Sequence, residues 1–277
     1  MNPKFRLWAS QALAVARLEL KSSFSLGRAL PVYLLAFMPF VIFAGHAMAH
    51  LRGWRHCDGS SDLAFFAGVF QLFILRLIVF FGCVVIFLRL FRGEVIQKSL
   101  HYYFLAPVRR EVLVIGKYLA GAITAIAVFA VSTVLCYMVT LQHLALTDAR
   151  ALAGPAMKHM AAYAGVTALA CLGYGAVFLL LGMLFRNPII PAILVLLWES
   201  LIMFVPALLK KISVIFYLES LCPVRVPFDG DLGAIFAITA APAPPYLAIP
   251  GLLLLTAAVV TIAAVRIRKM EISYGGE

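Results

Sequence analysis

Six stretches of this chain run for about 20 residues or more with almost no charge, at residues 30–49, 63–88, 112–140, 161–185, 189–209 and 246–265. A helix rising about 1.5 Å per residue needs roughly that many apolar residues to cross about 30 Å of hydrocarbon. The runs therefore predict membrane-spanning helices. A barrel is excluded because the alternation it needs is missing, and lipid satisfies no backbone hydrogen bonds. Composition agrees. Of 277 residues, 64% are hydrophobic and 13% charged, which a water-soluble fold could not carry without exposing large apolar patches. The expected fold is an all-α integral membrane protein of six spans, a single membrane domain over residues 1–277 with no room for a soluble catalytic domain.

Basic residues set the expected orientation. Fifteen lie on one side: Lys4, Arg6, Arg17, Lys21, Arg28, Arg89, Arg92, Lys98, Arg109, Arg110, Lys117, Arg186, Arg266, Arg268 and Lys269. Seven lie on the other: Arg52, Arg55, Arg150, Lys158, Lys210, Lys211 and Arg225. This bias puts both termini in the cytoplasm, and the expected location is the cell's inner, cytoplasmic membrane. The net charge of +11 is then mostly a topology signal. Its scatter over helix ends argues against a nucleic-acid partner.

The arm before the first span, residues 1–28, has a helical pattern of its own. Phe5, Trp8, Ala12, Val15, Ala16 and Leu20 recur on one stripe, with Arg6, Arg17 and Lys21 off it. That predicts a helix lying in the cytoplasmic interface of the lipid bilayer. Glu19 falls on the apolar stripe, and Leu7 and Leu18 fall off it. Ala47, Met48 and Ala49 imitate a signal-peptidase site, but the arm is too long for the basic region of a cleaved signal.

The longest polar interruption runs from Arg92 to Tyr118, RGEVIQKSLHYYFLAPVRREVLVIGKY. After Gly93 and Glu94, the residues Val95, Ile96, Leu100, Tyr103 and Phe104 interleave with Gln97, Lys98 and His101 in a helical pattern. Pro107 breaks the pattern, and Arg109, Arg110 and Glu111 restart a helix that continues into the third span. An amphipathic helix held at a membrane face can insert apolar anchors into a partner's groove. Residues 93–111 are accordingly read as a cytoplasmic segment offered to a soluble partner. A second irregular region, residues 210–245, is assigned to the outer side. Its apolar stretch from Ile212 to Leu221 is too short to span and is read as a re-entrant or interfacial helix. Pro223, Pro227, Pro242, Pro244 and Pro245 shape the loop that follows.

No catalytic constellation is present. There is no H-E-x-x-H cluster and no serine–lysine pair on a span. The string Val114-Ile115-Gly116-Lys117 lacks the leading glycine and the Ser or Thr of a phosphate loop. His46 and His50, one helical turn apart, with His56 beyond, have the spacing of two or three metal ligands. Histidines are ordinary at membrane interfaces, so the base reading is that the chain holds no metal. Cys57 and Cys222 both fall on the outer side, where a disulfide survives if that side is oxidising. Free thiols are the base expectation and that disulfide the alternative.

Arg76 stands in the middle of the second apolar run. A midplane charge needs compensation. Three arrangements would supply it: snorkelling or a backbone carbonyl, an ion pair with Glu199 in the fifth run, or direct contact with an anionic cargo. Gln71 and Trp198 are possible neighbours of such a pair.

The sequence around Pro107 carries a family resemblance. Phe104-Leu105-Ala106-Pro107-Val108-Arg109-Arg110-Glu111-Val112-Leu113, with Lys117 beyond and Glu94 after the second span, is similar to permease subunits of ABC-2 type ATP-binding-cassette transporters. The arm AVARLELKSSF resembles that family's elbow helix, where an arginine and a glutamate precede the first span. The resemblance implies that Glu94, Leu100, Tyr103, Phe104, Pro107, Arg109, Arg110 and Glu111 include a coupling helix docking on a nucleotide-binding subunit. It also implies that ATP and Mg are held by that separate ABC ATPase, and that a second permease copy or a similar chain completes the pathway. Export is the commoner direction in the family. The alternative function is a non-transport membrane module that passes ATPase-driven mechanical work to extracytoplasmic partners.

Overall fold

The computed structural model describes residues 3–24, 26–52, 59–96, 109–147, 155–185, 187–202, 205–224 and 243–269. Within them every regular element is helical. In chain order these are α1 (Pro3–Ser23), α2 (Leu26–Leu51), α3 (Gly59–Val69), a π-helical segment (Phe70–Val79) and α4 (Phe80–Ile96). There follow α5 (Arg110–Thr147), α6 (Pro155–Leu184), α7 (Ile189–Leu201), α8 (Ala207–Lys210), α9 (Val214–Leu221) and α10 (Pro245–Arg266), which ends in a 3₁₀ turn, Ile267–Lys269.

Five helical stretches among the described residues are long and apolar enough to cross a membrane: 29–49, 62–91, 110–142, 156–184 and 245–266. The fifth predicted span, residues 189–209, is not one helix. α7 stops after 13 residues, about 20 Å at 1.5 Å per residue, too short for the hydrocarbon layer. Pro206 is extended, with ψ of 149°. Its ring and missing N–H do not allow α7 to continue through it. Apolar composition runs on past the point where the backbone stops being helical, and composition alone concealed the break.

α5 and α6 form the centre of the bundle. α5 packs on α1, α2, α6 and α10, while α6 also packs on α4, α9 and α10. Aromatic side chains fill the space between them and the second span. Phe66 sits 4.9 Å from Tyr137 and 5.0 Å from Tyr163, both edge-on, and Phe80 sits 4.9 Å from Phe178. Edge-to-face contacts of this kind match the positive rim of one ring to the negative face of the next. Hydroxyls tie helices where their surroundings offer no water. Thr133 and Thr167 meet at 3.2 Å between α5 and α6, Tyr118 donates to the Leu172 carbonyl at 3.0 Å, and Ser132 of α5 donates to the Ala36 carbonyl of α2. The second span changes winding at its middle, where the ten-residue π-helical segment carries Gln71 and Arg76.

α9 is the helix read from sequence in Ile212–Leu221. It is buried among the spans. Val214 lies where a Cβ on Gly173 would come within 2.9 Å, and Tyr217 lies within 2.7 Å of the corresponding position on Gly251. Gly173 is in the middle of α6, so α9 begins deep in the bundle. The missing side chains at these two glycines are what let α9 approach α6 and α10 so closely.

Candidate functional site

Two groups of charged residues stand out in a chain with so few charges. The first lies in the middle of the bundle. Glu199, near the end of α7, is buried, and its carboxylate accepts three hydrogen bonds from the start of α9. Ser213 Oγ donates to Oε2 at 2.7 Å, Val214 N–H to Oε1 at 3.1 Å and Ile215 N–H to Oε2 at 3.0 Å. The first N–H groups of a helix have no partner inside it, and the aligned peptide dipoles favour negative charge there. Glu199 therefore closes the N-terminus of α9 from a different helix, joining two short elements at the break in the chain.

Arg76 meets Glu219, not Glu199. Its Nη2 donates to Glu219 Oε1, in an ion pair between the π-helical segment and α9. Of the three arrangements open to Arg76, the Arg76–Glu199 bridge is not the one formed: α7 ends at Leu201, and the carboxylate that α9 brings to the guanidinium is Glu219. Arg76 Nε is buried and has no hydrogen-bond partner among the described residues. Gln71 donates to the Val224 carbonyl at 2.7 Å, holding the chain just past α9 against the second span. Glu219 went unrecognised because its segment was assigned outside the spans. The signal was present: it is the one charge in the apolar stretch from Ile212 to Leu221. A midplane charge costs about 2.5 kcal/mol or more on insertion scales, so a buried arginine calls for an acidic partner wherever the chain folds back.

The second group ties together α1, the start of α5 and the end of α10. Lys117 of α5 has a fully buried side chain and donates to Glu19 of α1. The Phe91 ring covers the ammonium at 5.5 Å. This explains the anomaly of Glu19 on the apolar stripe, since that stripe faces a helix that carries a buried cation. Ala12 and Ala16 of the same stripe are buried, while Leu7, Leu13 and Leu18 are exposed on other faces. Immediately before Lys117, Gly116 lets α1 come so close that a Cβ would sit 2.8 Å from the Ala12 carbonyl oxygen and 2.8 Å from Val15 Cβ. Arg109 stacks its guanidinium over the Trp8 ring at 4.6 Å. Glu111 accepts from Arg268 Nε, and Arg110 reaches the Arg268 carbonyl at 3.5 Å. Arg109, Arg110 and Glu111 are thus brought together with α1 and the end of α10. Leu100, Tyr103, Phe104 and Pro107 lie outside the described residues, as does the Glu94 side chain.

The remaining candidates separate. His46 stacks on Phe65 with ring centroids 4.3 Å apart, and its Nε2 lies 3.2 Å from Asp62 Oδ1, linking α2 to α3. His56 and the His50 side chain lie outside the described residues. Among the described residues no three His, Cys, Asp or Glu side chains converge as metal ligands would. Cys222 is a free, buried thiol with Sγ 3.5 Å from the Leu218 carbonyl, and Cys57 lies outside the described residues.

A comparison with curated proteins found no match. The family model described as ABC-2 family transporter protein matches residues 63–242, which include the second span, the charged segment around Arg109, the core helices α5 and α6, and the Glu199–α9 junction. That match takes in well over half of the chain, and with the apolar helices it makes this a multi-pass membrane protein that belongs to the ABC-2 transporter family.

Proposed function

We propose that the chain is the membrane-spanning subunit of an ATP-driven ABC-2 transporter, working as an exporter in the cell's inner membrane with both termini cytoplasmic. A separate ABC ATPase holds ATP and Mg and docks on residues 93–111, and a second copy or a similar chain completes the pathway. α1 lies in the cytoplasmic interface as the elbow. Family membership supports the reading, and one structural observation carries it furthest: the far border of the docking segment, Arg109 to Glu111, is held by α1 through Trp8 and by α10 through Arg268. A push delivered to that segment therefore reaches three helices at once. Alternating access follows if those helices rock as a unit against the rest of the bundle.

The test is co-purification with a co-expressed ABC ATPase. Replacing Leu100, Tyr103 and Phe104 by Asp removes the apolar anchors and is expected to abolish capture of the ATPase while leaving the chain in the membrane. Stoichiometric capture by the triple variant would overturn the docking assignment. Substrate-stimulated ATP hydrolysis in reconstituted vesicles then separates transport from the alternative of mechanical work on extracytoplasmic partners.

A further inference from the structure

We infer that Arg76 receives an anionic group of the transported substrate, with Glu219 as the built-in carboxylate which that group displaces. The inference rests on the transport reading above and names its substrate class: an amphiphile bearing a phosphate or carboxylate.

Position comes first. Arg76 lies at the middle of the span over residues 62–91, yet the Arg76 and Glu219 side chains keep 19% and 30% of their exposure. Charges at such depth face the interior of a bundle or a wet cavity, not acyl chains. The pair they form is therefore only partly enclosed by the described residues.

The guanidinium is also incompletely used. A guanidinium offers five N–H donors in a planar fork, and two parallel bonds to one anion are its strongest mode. Arg76 makes one bond to one Glu219 oxygen, and its buried Nε has no partner among the described residues. The remaining Nη donors, on a side chain that keeps 19% of its exposure, suit a second oxyanion. Glu199 makes no hydrogen bond to Arg76, its two oxygens accepting from the start of α9. Gln71, bonded to the Val224 carbonyl, holds the chain beyond α9 in place. Displacing Glu219 then frees a carboxylate without releasing that end of α9.

The surroundings decide between a free anion and an amphiphile. Leu72, Leu77 and Phe81, within two turns of Arg76 on the same helix, are 49%, 37% and 40% exposed. An anionic head on Arg76 thus lies beside apolar surface able to take an acyl or aryl tail.

The experiment is calorimetric titration of the purified full-length chain in neutral detergent with dioctanoyl phosphatidic acid, with inorganic phosphate and dioctanoylglycerol as comparators. Phosphatidic acid is expected to bind, at least tenfold more weakly to Arg76→Gln and severalfold more tightly to Glu219→Gln, which keeps the shape but removes the competing charge. Glu219→Gln also decides the matter should Arg76→Gln fail to fold. A pair that only holds helices together gives the opposite result, in which Glu219→Gln leaves binding unchanged or weakens it, and that overturns the inference. Inorganic phosphate binding as tightly as phosphatidic acid, or dioctanoylglycerol binding as tightly, overturns the amphiphile assignment. Loss of the Arg76 and Glu219 responses with ATPase capture intact sinks this site alone. Intact responses with ATPase capture unaffected by the triple Asp variant sink the docking assignment alone.

Discussion

Glu19 and Lys117, 98 positions apart, form an ion pair that fastens α1 to α5 with the lysine side chain wholly buried. Removing one partner strands the other charge in an environment that cannot solvate it. Glu19→Gln and Lys117→Met are each expected to cost about 3 kcal/mol, while the double variant recovers much of the loss. Thermal unfolding in neutral detergent measures this. Single losses that simply add would show that the pair does not act as a unit.

Glu199 satisfies three donors at the start of α9, so Glu199→Ala leaves two backbone N–H groups and one hydroxyl unpaired. The expected loss is about 2 kcal/mol, with a smaller one of about 1 kcal/mol for Ser213→Ala. Amide exchange should accelerate first in residues 214–221. Unchanged protection there would remove Glu199 from the role of holding this helix.

Gly116 has no room for a side chain, because a Cβ would lie 2.8 Å from the Ala12 carbonyl oxygen, whereas nothing lies within 4 Å of one on Gly68. Gly116→Val is expected to push α1 off α5 at a cost of about 1–3 kcal/mol, seen as faster proteolysis of the arm and a change in Trp8 fluorescence. Gly68→Ala should be neutral or slightly stabilising, since alanine favours helix. Equal behaviour of the two variants would contradict the close approach.

Arg76 should couple to Glu219 far more than to Glu199. In double-mutant cycles with leucine, the first pair is expected to give an interaction energy of about 1 kcal/mol or more and the second to be additive within about 0.5 kcal/mol. The opposite order would restore the bridge that sequence depth alone suggested.

Both the Arg76 partner and the fate of the fifth apolar run show where reading along the chain stops. Depth placed Arg76 level with Glu199 because each sits near the middle of an apolar run. It could not register that α7 ends at Leu201 and that the chain re-forms as α9, which brings Glu219 to the arginine. The irregularity at Glu19 was visible as a charge on an apolar stripe. Its meaning needed Lys117, which sequence counting had placed among the basic residues flanking a span.

The sequence by itself determined that this is a helical membrane protein, where most spans lie, and that Arg92 to Tyr118 departs from the apolar pattern. Those properties follow from the cost of exposing backbone and charge to hydrocarbon, which acts on each segment separately. The tertiary structure alone decided which charges meet. Ion pairs such as Glu19–Lys117 and Arg76–Glu219 join residues 98 and 143 positions apart. Their pairing depends on which helices pack together and on gaps such as the missing side chain of Gly116, and neither is written in the hydropathy of any one segment.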